Sequence, residues 1–280
     1  MLSDVLEWLL PVYKNSDPRT TDWFLVSQPG CIFTIVIAYV YICTSAGPKY
    51  MEDKQPYTLR KTLIAYNLFQ ILLSAYLFKE GIIAYGMNNY SYWCQPIEYS
   101  DTPAAMRMAT ATHLYFICKL IDLLDTVFFV LRKKNRQISF LHVYHHASMV
   151  VFAWIGVRYF ASGHPTFLGL MNCFVHTFMY SYYLLAAFGA EIQKYLVHWK
   201  KYLTLLQIVQ FIIVGLHSGQ VLFTDCHKVP SLLAILIVLN SSFFVYMFSS
   251  FYVHNYFEPN VKSAKTVTGF PNNSMIRKTE

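Results

Sequence analysis

Seven apolar stretches, at approximately 29–46, 62–85, 108–131, 138–160, 165–188, 202–223 and 230–253, take up most of the chain, with polar and charged residues collected between them. Each meets or approaches the roughly 20 residues that a helix needs to cross a bilayer core. Lipid tolerates only helices or closed barrels, because every backbone N–H and C=O must find its partner within the protein. The ten-residue alternation that marks a membrane β-barrel is absent. The pattern predicts an all-α, polytopic membrane protein of seven transmembrane helices, a single integral-membrane domain over 1–280. Residues 1–28 form a segment ahead of the first span. Val5, Trp8, Leu9 and Val12 share one helical face there and predict an interfacial helix. Pro11 and the lack of a basic start argue against a cleaved signal peptide. Residues 257–280 read as a polar, basic, flexible tail.

Composition sharpens this picture. Hydrophobic residues make up 55% of the 280 and charged residues 13%, against roughly a quarter charged in a soluble domain. Mean hydropathy is +0.36. So little polar surface cannot coat a water-soluble fold. The net charge of +7 therefore bears on membrane topology and on anionic partners at the membrane surface, not on nucleic acid. Of the 22 Lys and Arg, 15 lie between spans 1 and 2, 3 and 4, or 5 and 6, or in the tail. The positive-inside rule then puts the C-terminus in the cytosol and the N-terminus in a lumen or outside.

Candidate chemistry sits in spans 3 to 6, since spans 1, 2 and 7 carry little ionisable material. Span 3 has Lys119, Asp122, Asp125 and Thr126 on one helical face; span 4 opens with His142, His145 and His146. Span 5 carries Asn172, His176, Met179, Tyr180 and Tyr183, and span 6 carries Thr204, Gln207 and Gln210. At 1.5 Å per residue, Asp125 lies roughly 10 Å beneath Arg132 and His145 roughly 14 Å beneath Arg136. Gln207 is roughly 9 Å beneath Lys201 by the same rise. Each intramembrane charge costs about 2.5–3.5 kcal/mol on insertion scales, so these groups face one another or a cavity. Lys119 beside Asp122 alone would serve equally well as a buried pair holding two helices together. Four histidines, two aspartates and a lysine at one depth read as an active site. A basic rim above and an apolar bundle below suit an amphiphile with an anionic head.

Histidine in a membrane enzyme raises the question of metal. His142, His145 and His146 have the His-x-x-His-His spacing of membrane di-iron desaturases and hydroxylases. Those enzymes resemble this chain in one box only, for the remaining histidines are isolated. The di-iron reading stands as the alternative. A seven-span receptor has the same orientation but no use for a histidine box facing a carboxylate–lysine stripe.

At these residues the chain resembles the ELO family, the very-long-chain fatty acid elongases. Lys119-Leu-Ile-Asp122-Leu-Leu-Asp125-Thr126 is similar to that family's Lys-x-x-Glu-x-x-Asp-Thr motif, with Asp122 one methylene shorter than the usual Glu. His142-Val-Tyr-His145-His146 resembles its histidine box and His176-Thr-Phe-Met179-Tyr180 its His-x-x-Met-Tyr motif. Thr204-Leu-Leu-Gln207-Ile-Val-Gln210 resembles Thr-x-x-Gln-x-x-Gln. The resemblance implies helices 2–7 enclosing an acyl-CoA tunnel in the endoplasmic reticulum membrane. It also implies the condensing step of microsomal chain elongation: a long-chain acyl-CoA and malonyl-CoA give a 3-oxoacyl-CoA two carbons longer, with CO2 and CoA released. The other enzymes of the elongation cycle and a homodimer are the implied partners. His-Val-Tyr-His-His resembles the members that act on already long chains.

Thioester condensation needs an acyl acceptor, and imidazole can serve as one, so no metal or bound cofactor is called for. His145 is assigned as the acyl-accepting nucleophile facing His176, with His142 and His146 orienting or exchanging protons. Asp122 and Asp125 would fix imidazole tautomers, and Lys119 would balance the malonyl carboxylate or the aspartates. Asn172, Met179, Tyr180, Tyr182, Tyr183, Thr204, Gln207 and Gln210 are assigned to pantetheine and carbonyl contacts. Arg132, Lys134, Gln137, Lys200 and Lys201 are placed for the CoA head group, or serve only to anchor loops. The dipeptide Arg277-Lys278 near the C-terminus is similar to a dilysine-type retrieval signal.

Of six cysteines, Cys31, Cys43, Cys118 and Cys173 lie within spans and read as small buried hydrophobes. Cys94 and Cys226 fall in the loops after spans 2 and 6, which charge bias places on one non-cytosolic side. An oxidising lumen permits a Cys94–Cys226 bridge there; two free thiols are the alternative.

Overall fold

The computed structural model describes residues 16–87, 90–224, 226 and 229–257, and every regular element among them is helical. The interfacial helix expected near Val5–Val12 and the tail with Arg277-Lys278 lie outside the described residues. Helix α1 (Pro29–Tyr41) runs through a π-turn (Ile42–Ala46) into α2 (Gly47–Met51). Then follow α3 (Arg60–Met87), α4 (Pro103–Asp122), α5 (Leu124–Leu131), α6 (Phe140–Tyr159), α7 (Thr166–Ala187), α8 (Ala190–Gly219) and α9 (Ser231–Tyr256).

Local chemistry starts and stops these helices. Pro occupies the first turn of α1 and α4, where its missing N–H costs nothing. Thr102 caps α4 by accepting from Ala105 N at 3.3 Å, and Ser139 caps α6 by accepting from His142 N at 3.2 Å. The second cap places the three histidines of the box in the first two turns of α6. Gly189, at φ +118°, makes the tight reversal between α7 and α8, a conformation closed to residues with a Cβ.

Among the described residues, five helices are long and apolar enough to cross a membrane: Pro29–Tyr50, Arg60–Gly86, Phe140–Tyr159, Ala190–Leu222 and Ser231–Tyr256. All seven expected spans are helical, yet α4 with α5, and α7, fall short of that measure. The first pair carries Arg107, Lys119, Asp122 and Asp125; α7 carries Asn172, His176 and several tyrosines. These polar residues keep both below the apolarity of the other spans. Two boundaries also differ from expectation. The third span is interrupted at Leu123, between the two aspartates. The sixth begins at Ala190, twelve residues earlier than its apolar run, because the helix continues past the membrane edge with Tyr195, Trp199 and Tyr202 exposed.

Packing closes a ring. α3 lies along α7, α7 along α8 and α8 along α9; α4 packs on both α3 and α6. Tyr144 and His145 of α6 meet Phe243 and Phe244 of α9 and complete the circuit. α1 lies outside the ring against α6. Inside is a small apolar cavity of about 100 Å³ lined by α3, α4, α6, α7 and α9.

One end of the bundle carries the basic residues of the 50s, 130s and 190s. The other is closed by loops and a disulfide between Cys94 and Cys226, the expected pairing. Cys43, Cys118 and Cys173 are buried as expected, while Cys31 is only half-buried. Residues 16–28, expected merely to precede the first span, fold onto the disulfide end of α6. Asp17 N donates to Arg158 O at 2.8 Å and Thr20 Oγ1 to Val157 O at 2.6 Å. Asp17, Thr20 and Val26 are fully buried there.

Candidate active site

Where the third span breaks at Leu123, Lys119, Asp122, Asp125 and Thr126 remain on one face and all are buried. Lys119 Nζ donates to Asp122 Oδ2 at 2.8 Å and lies 3.4 Å from His176 Nδ1. That imidazole nitrogen is 3.7 Å from the same carboxylate oxygen. Tyr180 OH lies 3.0 Å from Asp122 Oδ1 and 2.8 Å from Asp125 Oδ2. A phenol has one hydrogen, so it serves one of the two carboxylates at a time. His146 Nε2 is 4.0 Å from Asp125 Oδ2. Breaking such a buried network by removing one charge leaves the other uncompensated, which costs about 3–5 kcal/mol.

The box histidines occupy three different surroundings. His142 Nε2 shares a hydrogen bond with Thr126 Oγ1 at 3.0 Å, its ring 4.4 Å from that of His146. His146 lies against Asp125. His145 sits 5.3 Å from His146, with Phe244 at 5.1 Å and Phe211 and Phe248 each at 6.4 Å. Beyond His146, the ring contacts of His145 are thus with α8 and α9.

The other sequence candidates divide into three groups. Asn172 joins the layer by accepting from Tyr115 OH at 3.1 Å, and Met179 Sδ accepts from Gln207 Nε2 at 3.6 Å. Tyr183 stacks edge-on to Tyr180 at 6.0 Å and to Tyr182 at 5.9 Å, at the rim of the layer. Thr204 and Gln210 are buried on α8, where the Thr204 hydroxyl donates to Lys200 O. The basic candidates are not drawn into the layer. Arg132 is half-buried, and Lys134, Gln137, Lys200 and Lys201 are exposed at the basic end.

Three helices contribute groups that the sequence reading did not assign. Gln70 on α3 is fully buried and donates to Asp122 Oδ1, with Tyr66 OH and Tyr180 OH at 3.4 and 3.3 Å. Tyr39 on α1 shares a 2.7 Å hydrogen bond with Thr126 Oγ1. The Tyr115 ring on α4 lies 4.9 Å from Lys119 Nζ. Ranking spans by ionisable residues hid the first two. The signal for α3 was present in Asn67, Gln70 and Ser74, a buried polar stripe at i, i+3 and i+7 in an otherwise apolar run. For Tyr39 no such pattern exists.

The apolar cavity lies next to the layer. Tyr115, Cys173 and Met149 line it, one helical turn from Lys119, His176 and His145 respectively. The far end is lined by Phe160, Pro165 and Thr166. Among the described residues, no group of three or more His, Cys, Asp or Glu is arranged to hold a metal ion.

Comparison with known proteins agrees with this arrangement. Residues 24–264 match the model of the ELO family, GNS1/SUR4. A very long chain fatty acid elongase of Aedes aegypti is 45% identical over 244 residues, 87% of this chain and 68% of that one. Very long chain fatty acid elongase 7 of Drosophila melanogaster is 44% identical over 254 residues, covering 91% and 77%. Very long chain fatty acid elongase 4 of Mus musculus is 40% identical over 282 residues, covering 99% and 88%. None of these relatives carries a desaturase or hydroxylase name. With a family match over most of its length, the chain belongs to the ELO, GNS1/SUR4, family.

Proposed function

We propose that the chain is a 3-oxoacyl-CoA synthase that condenses a long-chain acyl-CoA with malonyl-CoA in fatty acid elongation. The observation that carries this reading is the junction of the histidine–carboxylate layer with the apolar cavity, one helical turn apart on α4, α6 and α7. An acyl chain laid in the cavity brings its thioester carbonyl to the histidines. A CoA head group then extends toward the basic end.

In this scheme an imidazole nitrogen of His145 attacks the thioester carbonyl and CoA leaves as its thiolate, giving an acyl-imidazole. Malonyl-CoA loses CO2, and the electron pair of the broken bond passes to its α-carbon. That carbon attacks the acyl carbonyl, forms the new C–C bond and releases the imidazole. Lys119, held by Asp122, is placed to attract the malonyl carboxylate before it leaves. His146 and His176, each beside an aspartate, exchange protons with CoA. Electrostatic preorganisation of this kind works because the groups are already desolvated and need no rearrangement as charge develops. The basic end is cytosolic in this reading and the membrane that of the endoplasmic reticulum.

Incubating the full chain in microsomes with an acyl-CoA panel and labelled malonyl-CoA tests the reading. One CO2 should be released per 3-oxoacyl-CoA formed, and intact-mass analysis with acyl-CoA alone should show an acyl adduct. His145→Ala should abolish both while the protein still inserts. No labelled product from any chain length would end the synthase reading. Near-normal turnover in His145→Ala would end the covalent histidine scheme.

A further inference from the structure

We infer that Tyr39, on the helix outside the ring, is a positioning residue that holds His142 of the histidine box in one tautomer through Thr126. This rests on the proposed role of the box in condensation. Three atoms form a line: Tyr39 OH, Thr126 Oγ1 at 2.7 Å, and His142 Nε2 at 3.0 Å from that oxygen. Tyr39 and Thr126 are buried on neighbouring helices, 5% and 0% exposed.

Six threonines deeper in helices bond differently from Thr126, which sits in the first turn of α5. A threonine within a helix ordinarily turns its hydroxyl back to the carbonyl four residues earlier. Thr34, Thr44, Thr110, Thr112, Thr177 and Thr204 all do so, at 2.7–3.2 Å. Thr126 directs its hydroxyl to Tyr39 and His142 instead.

Counting hydrogens sets the direction. If His142 Nε2 carried the hydrogen and donated to Thr126, then Thr126 would either donate to Tyr39 or accept from it as well, and in both cases one buried hydroxyl hydrogen would have no acceptor in the line. An unspent buried donor is costly. In the opposite direction Tyr39 donates to Thr126 and Thr126 donates to His142 Nε2, so both buried hydroxyl hydrogens are used and the ring hydrogen falls to the half-buried imidazole's other nitrogen. Nε2 is then an acceptor and the ring hydrogen sits on Nδ1. His142 is held 4.4 Å from His146, which in turn lies beside Asp125 and His145. A fixed tautomer on His142 decides which face of the box offers a hydrogen and which a lone pair.

The test uses the full chain in microsomes. Tyr39→Phe and Thr126→Val should each lower kcat by about tenfold, less than the roughly 10²–10⁴-fold contribution of a general acid or base itself, with KM for acyl-CoA unchanged. The double variant should be no worse than Thr126→Val, because both break one line, and Thr126→Ser should keep most activity. Nitrogen-15 NMR of histidine-labelled protein, with His142 assigned from His142→Gln, should show Nδ1 protonated in the parent and mixed tautomers in Tyr39→Phe. If Tyr39→Phe is not recovered in the membrane, the contrast between Thr126→Val and Thr126→Ser decides the same point. Parental kcat in Thr126→Val, or fully additive losses in the double variant, would overturn the proposal. His142→Ala separates the two levels: an inactive variant beside unaffected Tyr39→Phe and Thr126→Val removes only the relay, whereas an active one removes the reading on which it rests.

Discussion

Both ends of the bundle bury polar side chains, but they spend them differently. In the layer near the basic end, side chains bind side chains: Lys119 and Gln70 to Asp122, Tyr180 to two aspartates, Tyr39 to Thr126, and Thr126 to His142. At the disulfide end the Arg19–Asp17 ion pair is 2.6 Å long, but most other buried polar side chains bind backbone. Arg158 and Trp154 donate to Val26 O, Thr20 to Val157 O, Ser162 to Glu98 O and Gln220 to Tyr92 O. His164 shares a hydrogen bond with His217 O and its ring stacks on that of His217 at 4.0 Å. Burial pushes its pKa below the ordinary imidazole value, against the pull of that carbonyl. Backbone-directed bonds satisfy loop carbonyls and set a shape. Titratable groups held against one another keep charge and proton positions poised. Buried polarity alone therefore does not mark a site; the choice of partner does.

The largest test of this contrast is Asp122→Ala. It strands Lys119 in the interior and removes the acceptor for Gln70 and Tyr180, with an expected loss of about 3–5 kcal/mol and of all condensation activity. Asp122→Asn, which keeps an acceptor for Gln70 and Tyr180 but not the charge facing Lys119, should recover only part of that stability and none of the turnover. Thermal unfolding in detergent together with the condensation assay reads both, and a stable, active Asp122→Ala would erase the difference between the two ends.

Replacing Cys94 and Cys226 with Ser should separate shape from chemistry in the other direction. Their separation of 132 residues gives at most about 4–5 kcal/mol in the loop-entropy model, an upper figure for a chain already confined by the membrane. The unfolding temperature should drop, while kcat at low temperature stays near the parental value. A specific loss of kcat at unchanged stability would tie the disulfide end to the chemistry.

The smallest effect is expected at the exposed basic rim. Lys200→Ala with Lys201→Ala should raise KM for CoA substrates several-fold and leave kcat nearly unchanged, since such contacts bind ground and transition states alike. An unchanged KM would reduce these lysines to topological anchors.

The spans, the motif faces and the cysteine pairing were legible in the sequence because each follows from a local rule. A run of about 20 apolar residues needs a bilayer or a core. Residues at i, i+3 and i+7 share a face whatever they meet, so Lys119, Asp122 and Thr126 were placed together even though Leu123 interrupts the helix. Charge bias between loops put Cys94 and Cys226 on one side, where they are bonded.

What faces each of those surfaces was decided by the tertiary structure. Helical periodicity gives a direction from the axis and says nothing about which helix lies there. His145 meets Phe211, Phe244 and Phe248, and His146 meets Asp125. Gln70 and Tyr39 reach the layer from spans whose composition hid them. The cavity likewise exists only where five helices line one space. Asp17, Thr20 and Val26, unremarkable in sequence, are buried because the segment they lie on folds against the end of α6, which offers it backbone partners. Short-range rules determined what each helix presents, and the packing of the ring determined what each presentation meets, because contact partners far apart in sequence are selected by shape and hydrogen-bond satisfaction across the whole bundle.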